Sequence, residues 1–183
     1  MPSNIEIKAA VADLPRIAAL VAAMSDTPPT RLKQRDTFFG CSTGRLKLRE
    51  FDTGQSELIF YKRADVTGTK QSHYEITPVA DAASLKRLLR QAFGETAVVE
   101  KTRVLSLIGQ TRVHLDDVNG LGTFLELEVV LRPDQSPEEG HAIAADLMSR
   151  LGIQASDLIA TAYADMLPTS GLDDGSTQAI GRH

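Results

Sequence analysis

Four stretches of this sequence alternate charged or polar residues with aliphatic ones: Asn4-Ile5-Glu6-Ile7-Lys8, Arg45-Leu46-Lys47-Leu48-Arg49, Arg112-Val113-His114-Leu115-Asp116 and Leu125-Glu126-Leu127-Glu128-Val129. In an extended chain, successive side chains point to opposite faces. Glu6 therefore shares a face with Lys8, Lys47 with Arg49, Arg112 with Asp116, and Glu126 with Glu128. One such strand reads as an ordinary half-solvated strand, charged side to water. Four of them, with each sign clustered and little neutral dilution, point instead to one shared charged surface. Lysines and arginines fixed on strands suit a string of phosphates, because Arg can fork two phosphate oxygens while Lys acts as a point charge. Carboxylates beside them suit a divalent cation that bridges carboxylate and phosphate oxygens, the usual arrangement for Mg²⁺.

Strand-like runs fall near residues 4–11, 31–39, 45–51, 57–63, 70–77, 98–108, 111–118 and 124–131. Turn signals separate them, among them Pro28-Pro29, Thr43-Gly44, Thr53-Gly54, Gly109 and Asn119-Gly120. Several connections are too short for a crossover helix, so those neighbours pair antiparallel, and eight strands suffice to close a small barrel. Helices are predicted near 13–24, 81–93 and 136–151. The first has Leu14, Ile17, Val21 and Met24 on one stripe, and the second has Leu85, Leu88, Leu89 and Phe93. The third opens on Ser136-Pro137-Glu138-Glu139, a capping box with proline at the first helical position, and stops at Gly152.

The expected fold class is α+β: an eight-stranded antiparallel closed barrel with helices packed outside. With helices over the leucine-rich face, the charged face lines the inside. Such an interior cannot be dry, because unpaired buried charge is too costly, so it calls for water and a polyanionic guest. Residues 1–167 are expected to form this domain, with 168–183, rich in Gly, Ser, Thr and Asp, as a flexible tail.

Composition narrows the partners. The net charge of −4 argues against a nucleic-acid footprint. No apolar run reaches the ~20 residues of a membrane span, and the opening residues lack a signal-peptide layout. The lone Cys41 rules out an internal disulfide and any cysteine-based zinc cluster. A cytoplasmic protein with no membrane partner is expected, and a homodimer stays open.

The same residues resemble the CYTH family, the triphosphate tunnel metalloenzymes, which include class IV adenylyl cyclases, thiamine triphosphatases and inorganic triphosphatases. Asn4-Ile5-Glu6-Ile7-Lys8 stands where the family opens with Glu-x-Glu-x-Lys, with Asn4 in place of the first glutamate. Gln34-Arg35-Asp36-Thr37-Phe38-Phe39 is similar to the second strand, Leu46-Lys47-Leu48-Arg49 to the third and Tyr61-Lys62-Arg63 to the end of the fourth. Lys101-Thr102-Arg103 matches a Lys-x-Arg pair on the sixth. Residues 112–118 and 121–128 resemble the seventh and eighth strands, and Ala162-Tyr163-Ala164-Asp165-Met166-Leu167 the C-terminal ending.

The resemblance implies a metal-dependent triphosphatase acting on an inorganic or organic triphosphate. Lys8, Lys47, Arg49, Arg63, Lys101, Arg103 and Arg112 would bind the small-molecule triphosphate. Glu6, Asp116, Glu126 and Glu128 would hold Mg²⁺ or Mn²⁺, with Glu6, Glu126 and Glu128 as the catalytic set. Two other outcomes of the same architecture are adenylyl cyclisation to cyclic AMP and pyrophosphate, and binding of a polyphosphate or nucleotide without turnover. His114, alone between Arg112 and Asp116, reads as an interior hydrogen-bonding group rather than a metal ligand, and Cys41 as incidental. Lys70, Ser72 and Tyr74 share a face that would line one mouth.

Overall fold

In a computed structural model, residues 3–63 and 70–167 are described, apart from the side chains of Arg63 and Lys70. The strands are β1 (Ser3–Ala10), β2 (Thr30–Phe39), β3 (Arg45–Phe51), β4 (Ser56–Arg63), β5 (Lys70–Pro78), β6 (Glu95–Ile108), β7 (Thr111–Val118) and β8 (Gly122–Val130). They close into one barrel in the order β1-β5-β4-β3-β2-β6-β7-β8, with every pairing antiparallel. The helices are α1 (Leu14–Met24), α2 (Ala82–Phe93), α3 (Pro137–Leu151) and the short α4 (Tyr163–Met166). The expected fold is present, while the 168–183 tail lies outside the described residues.

Strand parity decides what is inside. Ile5, Ile7, Val113, Leu115, Leu125, Leu127 and Val129 face outward and are almost fully buried. Ile17 and Val21 of α1 and Leu147 and Leu151 of α3 join the largest part of this layer. Asp13 caps α1, and Ser136 with Glu139 forms the expected capping box on α3, a device worth roughly 1 kcal/mol. Gly140 lets α3 lie against β1: a Cβ there would come within 2.6 Å of both Ile5 and Leu131.

Two details depart from the expected elements. β6 begins at Glu95 instead of near 98, because Gly94, at φ 72°, turns the chain straight out of α2. Glu95 then pairs with Phe39 past a bulge between Phe38 and Phe39. On α2, Leu89 is buried against Phe39 and Leu48 with Leu85 beside it. Leu88 and Phe93 remain 63% and 54% exposed, because the helix packs chiefly on β2 and β3 and its apolar stripe is wider than that contact. No helix among the described residues is long and apolar enough to cross a membrane.

Candidate functional site

The inward faces of the strands enclose a cavity of about 340 Å³. Among the described residues, its lining brings together Lys8, Lys47, Arg49, Lys101, Arg103 and Arg112 with Glu6, Asp36, Glu57, Glu126 and Glu128. The sequence-predicted residues thus meet in one chamber, with two exceptions. The side chain of Arg63 lies outside the described residues, and Asp116 is fully buried behind the lining.

Each cation of this set has a carboxylate partner. Asp36 receives a forked pair from Arg49, Nε to Oδ1 at 2.7 Å and Nη2 to Oδ2 at 2.8 Å, and a further bond from Lys47 Nζ at 2.8 Å. Asp116 takes a second fork from Arg103, at 2.6 and 2.5 Å, with Lys101 Nζ at 3.4 Å. Glu126 is shared between Arg103 Nη2 at 2.6 Å and Lys8 Nζ at 3.3 Å. Glu128 accepts from Arg112 Nε at 2.9 Å. Register accounts for these pairs: Lys8 opposes Glu126, Arg103 opposes Asp116, and Arg112 opposes Glu128 on adjacent strands.

The electrostatics follow from burial and pairing together. Burial alone would raise the carboxyl of Asp36, but Arg49 and Lys47 outweigh it and hold the group well below its ordinary value. Asp116, opposed in the same way by Arg103 and Lys101, sits at about 2. Glu126 and Glu128 are also lowered despite burial, Glu126 chiefly by Lys8 and Arg103, and Glu128 by His114 and Arg112. For the lysines burial wins: Lys47 drops to about 7, with Arg49 adding repulsion and Asp36 only partly offsetting both. Lys101 is lowered for the same reasons, burial and then Arg103. Burial and Arg103 also lower His114.

One end of the barrel is stoppered. Tyr163, at the start of α4, packs with Phe38, Val99, Val118 and Phe124 and donates its hydroxyl to Asp116 at 3.1 Å. The Lys8 ammonium sits 3.7 Å from the centre of the same ring and donates to the Thr161 carbonyl at 3.2 Å. Arg45 is drawn outside the chamber, where it forks Asp165 at 3.0 and 2.6 Å and anchors α4. Toward the other end the lining becomes apolar. Leu32, Phe51, Ile76 and Leu105 face in, and Ile76 is 48% exposed. Leu32 lies six residues along β2 from Phe38, about 20 Å at the rise of a strand.

The metal-competent set among the described residues is His114, Glu126 and Glu128, whose ligand atoms all lie within 4.8 Å of one another. His114 Nδ1 is 3.6 Å from Glu128 and 3.8 Å from Glu126. His114, expected as an interior hydrogen-bonding group, has its Nδ1 buried with no hydrogen-bond partner. Asp116, expected as a ligand, has both oxygens engaged by Arg103 and one also by Tyr163. Glu6 lines the cavity and opposes Glu128 in the β1–β8 register.

Asp36 and Tyr163 lie in stretches that resemble the family, but the sequence by itself gives neither a role. On β2, charged residues fall on both parities, Lys33 and Arg35 outward and Asp36 inward, so alternation marks no face. The stoppering role of Tyr163 depends on how the chain returns to the barrel, which no local pattern encodes.

A family profile for the CYTH domain matches residues 3–163. Among solved structures, a Pyrococcus horikoshii protein is similar at a TM-score of 0.80 and 24% identity, over 90% of this chain and 99% of that one. A candidate adenylate cyclase from Vibrio parahaemolyticus gives 0.74 and 16% over 89% and 96% of the two chains. A candidate adenylyl cyclase from Hippeastrum, which reveals a dominant triphosphatase activity, gives 0.64 and 12% over 88% and 91%. These structural likenesses carry the fold alone. No curated protein matches in sequence. With a profile match over most of its length and a closed barrel whose charges face inward, the chain belongs to the CYTH domain family.

Proposed function

We propose that this protein binds a triphosphate in the barrel and hydrolyses a phosphoric anhydride bond with the help of Mg²⁺ or Mn²⁺. The observation that carries the reading is the shared use of Glu126: it neutralises Lys8 and Arg103 and also belongs to the metal-competent set. With Glu126 and Glu128 holding a divalent ion, Lys8 and Arg112 would be released from their carboxylate partners, and Arg103, still forked on Asp116, from Glu126, which would leave all three to meet phosphate oxygens. Asp36 keeps Lys47 and Arg49 oriented into the chamber while they do the same.

The donor set fits a divalent ion, since two carboxylates and a buried, unpartnered imidazole nitrogen converge on one point. Bound there, the ion would offset the charge of the phosphates and polarise a phosphoryl oxygen. The protein's own part is positioning: cations on opposed strands stretch the triphosphate and receive charge on the departing oxygens, with no covalent intermediate required. Glu6 is placed beside Glu128 to assist the same region.

A cavity of about 340 Å³ is at the small end of ligand sites, ~300–1,000 Å³, and suits the phosphate chain rather than a whole nucleotide. The apolar mouth formed by Leu32, Phe51, Ile76 and Leu105 favours an organic triphosphate whose ring rests there. Cyclisation of ATP is the second reading, supported by the neighbours named as adenylate cyclases. The test is product analysis with inorganic triphosphate, ATP and thiamine triphosphate under both metals. Orthophosphate release supports hydrolysis, and pyrophosphate with cyclic nucleotide supports cyclisation. Tight binding with no turnover would make the protein a sensor and overturn the enzymatic reading.

A further inference from the structure

Several buried polar atoms among the described residues lack a hydrogen-bond partner, Asn4 Oδ1 and Gln34 Oε1 of the cavity lining included, but His114 Nδ1 is the one that stands between two carboxylates. His114 Nδ1 is buried, on a side chain only 5% exposed, with no hydrogen-bond partner. Leaving such a group unsatisfied is costly, so an orphan of this kind calls for an explanation such as a water or an ion. Its nearest charged oxygens, Glu128 Oε1 at 3.6 Å and Glu126 Oε2 at 3.8 Å, are too distant to be hydrogen-bond acceptors. They are, however, spaced as donors around one ion: ligand atoms each ~2.1 Å from a metal lie about 3–4 Å from one another. β7 opposes β8 so that His114 faces Glu126 directly, which places the imidazole on the rigid part of the barrel.

We infer that His114 coordinates the divalent ion through Nδ1 alongside Glu126 and Glu128, and that this nitrogen donor makes the site select Mn²⁺ over Mg²⁺. The inference rests on the proposed metal-dependent reading and deepens it. Mg²⁺ is a hard ion that prefers an all-oxygen shell, whereas imidazole suits first-row transition ions. A site of two carboxylates alone would carry no such bias. The imidazole adds a ligand without adding charge, which suits a chamber where Lys8 and Arg103 already depend on Glu126.

The test is pulsed electron paramagnetic resonance of Mn²⁺ bound to the full-length protein without triphosphate, paired with calorimetric titrations of Mn²⁺ and Mg²⁺. Wild type should show ¹⁴N modulation from a directly bound imidazole. His114→Gln should lose that modulation, and its Mn²⁺ affinity should fall at least about tenfold, the lower end of what losing a supporting group costs a metal site. Its Mg²⁺ affinity should change far less. Modulation that survives in His114→Gln would assign the nitrogen elsewhere and overturn the inference. Mn²⁺ bound in a Glu126-dependent way without ¹⁴N modulation in wild type would also overturn it, while leaving the metal-dependent reading intact. Absence of any Mn²⁺ or Mg²⁺ binding, with or without inorganic triphosphate, would overturn both.

Discussion

Arg103 forks Asp116 through Nε and Nη2 while the same Nη2 reaches Glu126 at 2.6 Å, so one guanidinium ties the buried end of the chamber to its metal-competent carboxylates. Asp116 is completely shielded from solvent and also accepts from Tyr163. This makes Asp116 a positioning residue: it holds Arg103 where a phosphate oxygen would otherwise find a mobile side chain.

Asp116→Asn should therefore act on stability first. Removing one member of a buried ion pair costs about 3–5 kcal/mol, which for a chain of this size lowers Tm by roughly 10 °C. Mn²⁺ bound to the folded variant should change little. Thermal melts and a metal titration on one preparation separate the roles. A variant that melts like wild type but no longer binds metal would make Asp116 a ligand.

Glu126→Gln and Glu128→Gln should each lower metal-dependent turnover by about 10²–10³, the usual cost of removing one preorganised electrostatic group. Their effects on stability should differ. Glu126 neutralises the buried pair Lys8 and Arg103, whereas the partner of Glu128 is Arg112, a third exposed. Relief of like-charge repulsion between the glutamates is not the dominant effect, because cations hold both. Glu126→Gln should show the larger drop in Tm, and equal drops would contradict the pairing described.

The sequence made the barrel and most of the chamber legible because β1, β3, β7 and β8 each keep bulky aliphatics on one parity and ions on the other. Opposed registers then bring Lys8, Arg112, Glu126 and Glu128 together without further information. Asp36 is not marked in the same way, because β2 carries charge on both faces. The true engagement of Asp116 was hidden for another reason. Parity reports only that a side chain points inward, and whether it reaches the cavity or is consumed by Arg103 is decided by packing near Tyr163. His114 illustrates the same limit, since its missing hydrogen-bond partner exists only in three dimensions.

Lys47 provides a test by pH. Burial and Arg49 bring its ammonium to about 7, so a sizeable fraction is neutral just above neutrality. A bound triphosphate favours the charged form and raises that value. Affinity should then be greatest below pH 7 and decline as pH rises above it, by at most about tenfold per unit, with proton uptake on binding. Lys47→Arg keeps its charge throughout and should flatten this dependence between pH 7 and 9. Calorimetry in buffers of different ionisation enthalpy counts the proton directly. Identical profiles for the two proteins would remove Lys47 from phosphate binding.

Asn4 is the position where the chain departs from the glutamate that the family resemblance supplies. Its side chain lines the cavity, is 3% exposed, and has an Oδ1 with no hydrogen-bond partner. The next inward residue on β1, Glu6, opposes Glu128, which puts Asn4 about 7 Å along the strand from that level. Asn4→Glu would add a buried carboxylate beside Ser72 and Val130, neither of which can neutralise it. Without metal the variant should melt below wild type, because a buried unpaired charge is costly. With saturating Mg²⁺ much of that loss should be recovered, since a ligand that binds only the folded state stabilises it. The Mg²⁺-induced rise in Tm should thus be larger in Asn4→Glu than in wild type, and half-maximal turnover should need less Mg²⁺. Thermal melts across a Mg²⁺ series, at fixed triphosphate and without it, give both quantities. If the metal-induced shifts coincide, position 4 lies outside the metal shell, and the carboxylate this chain lacks there has no bearing on how tightly it holds an ion.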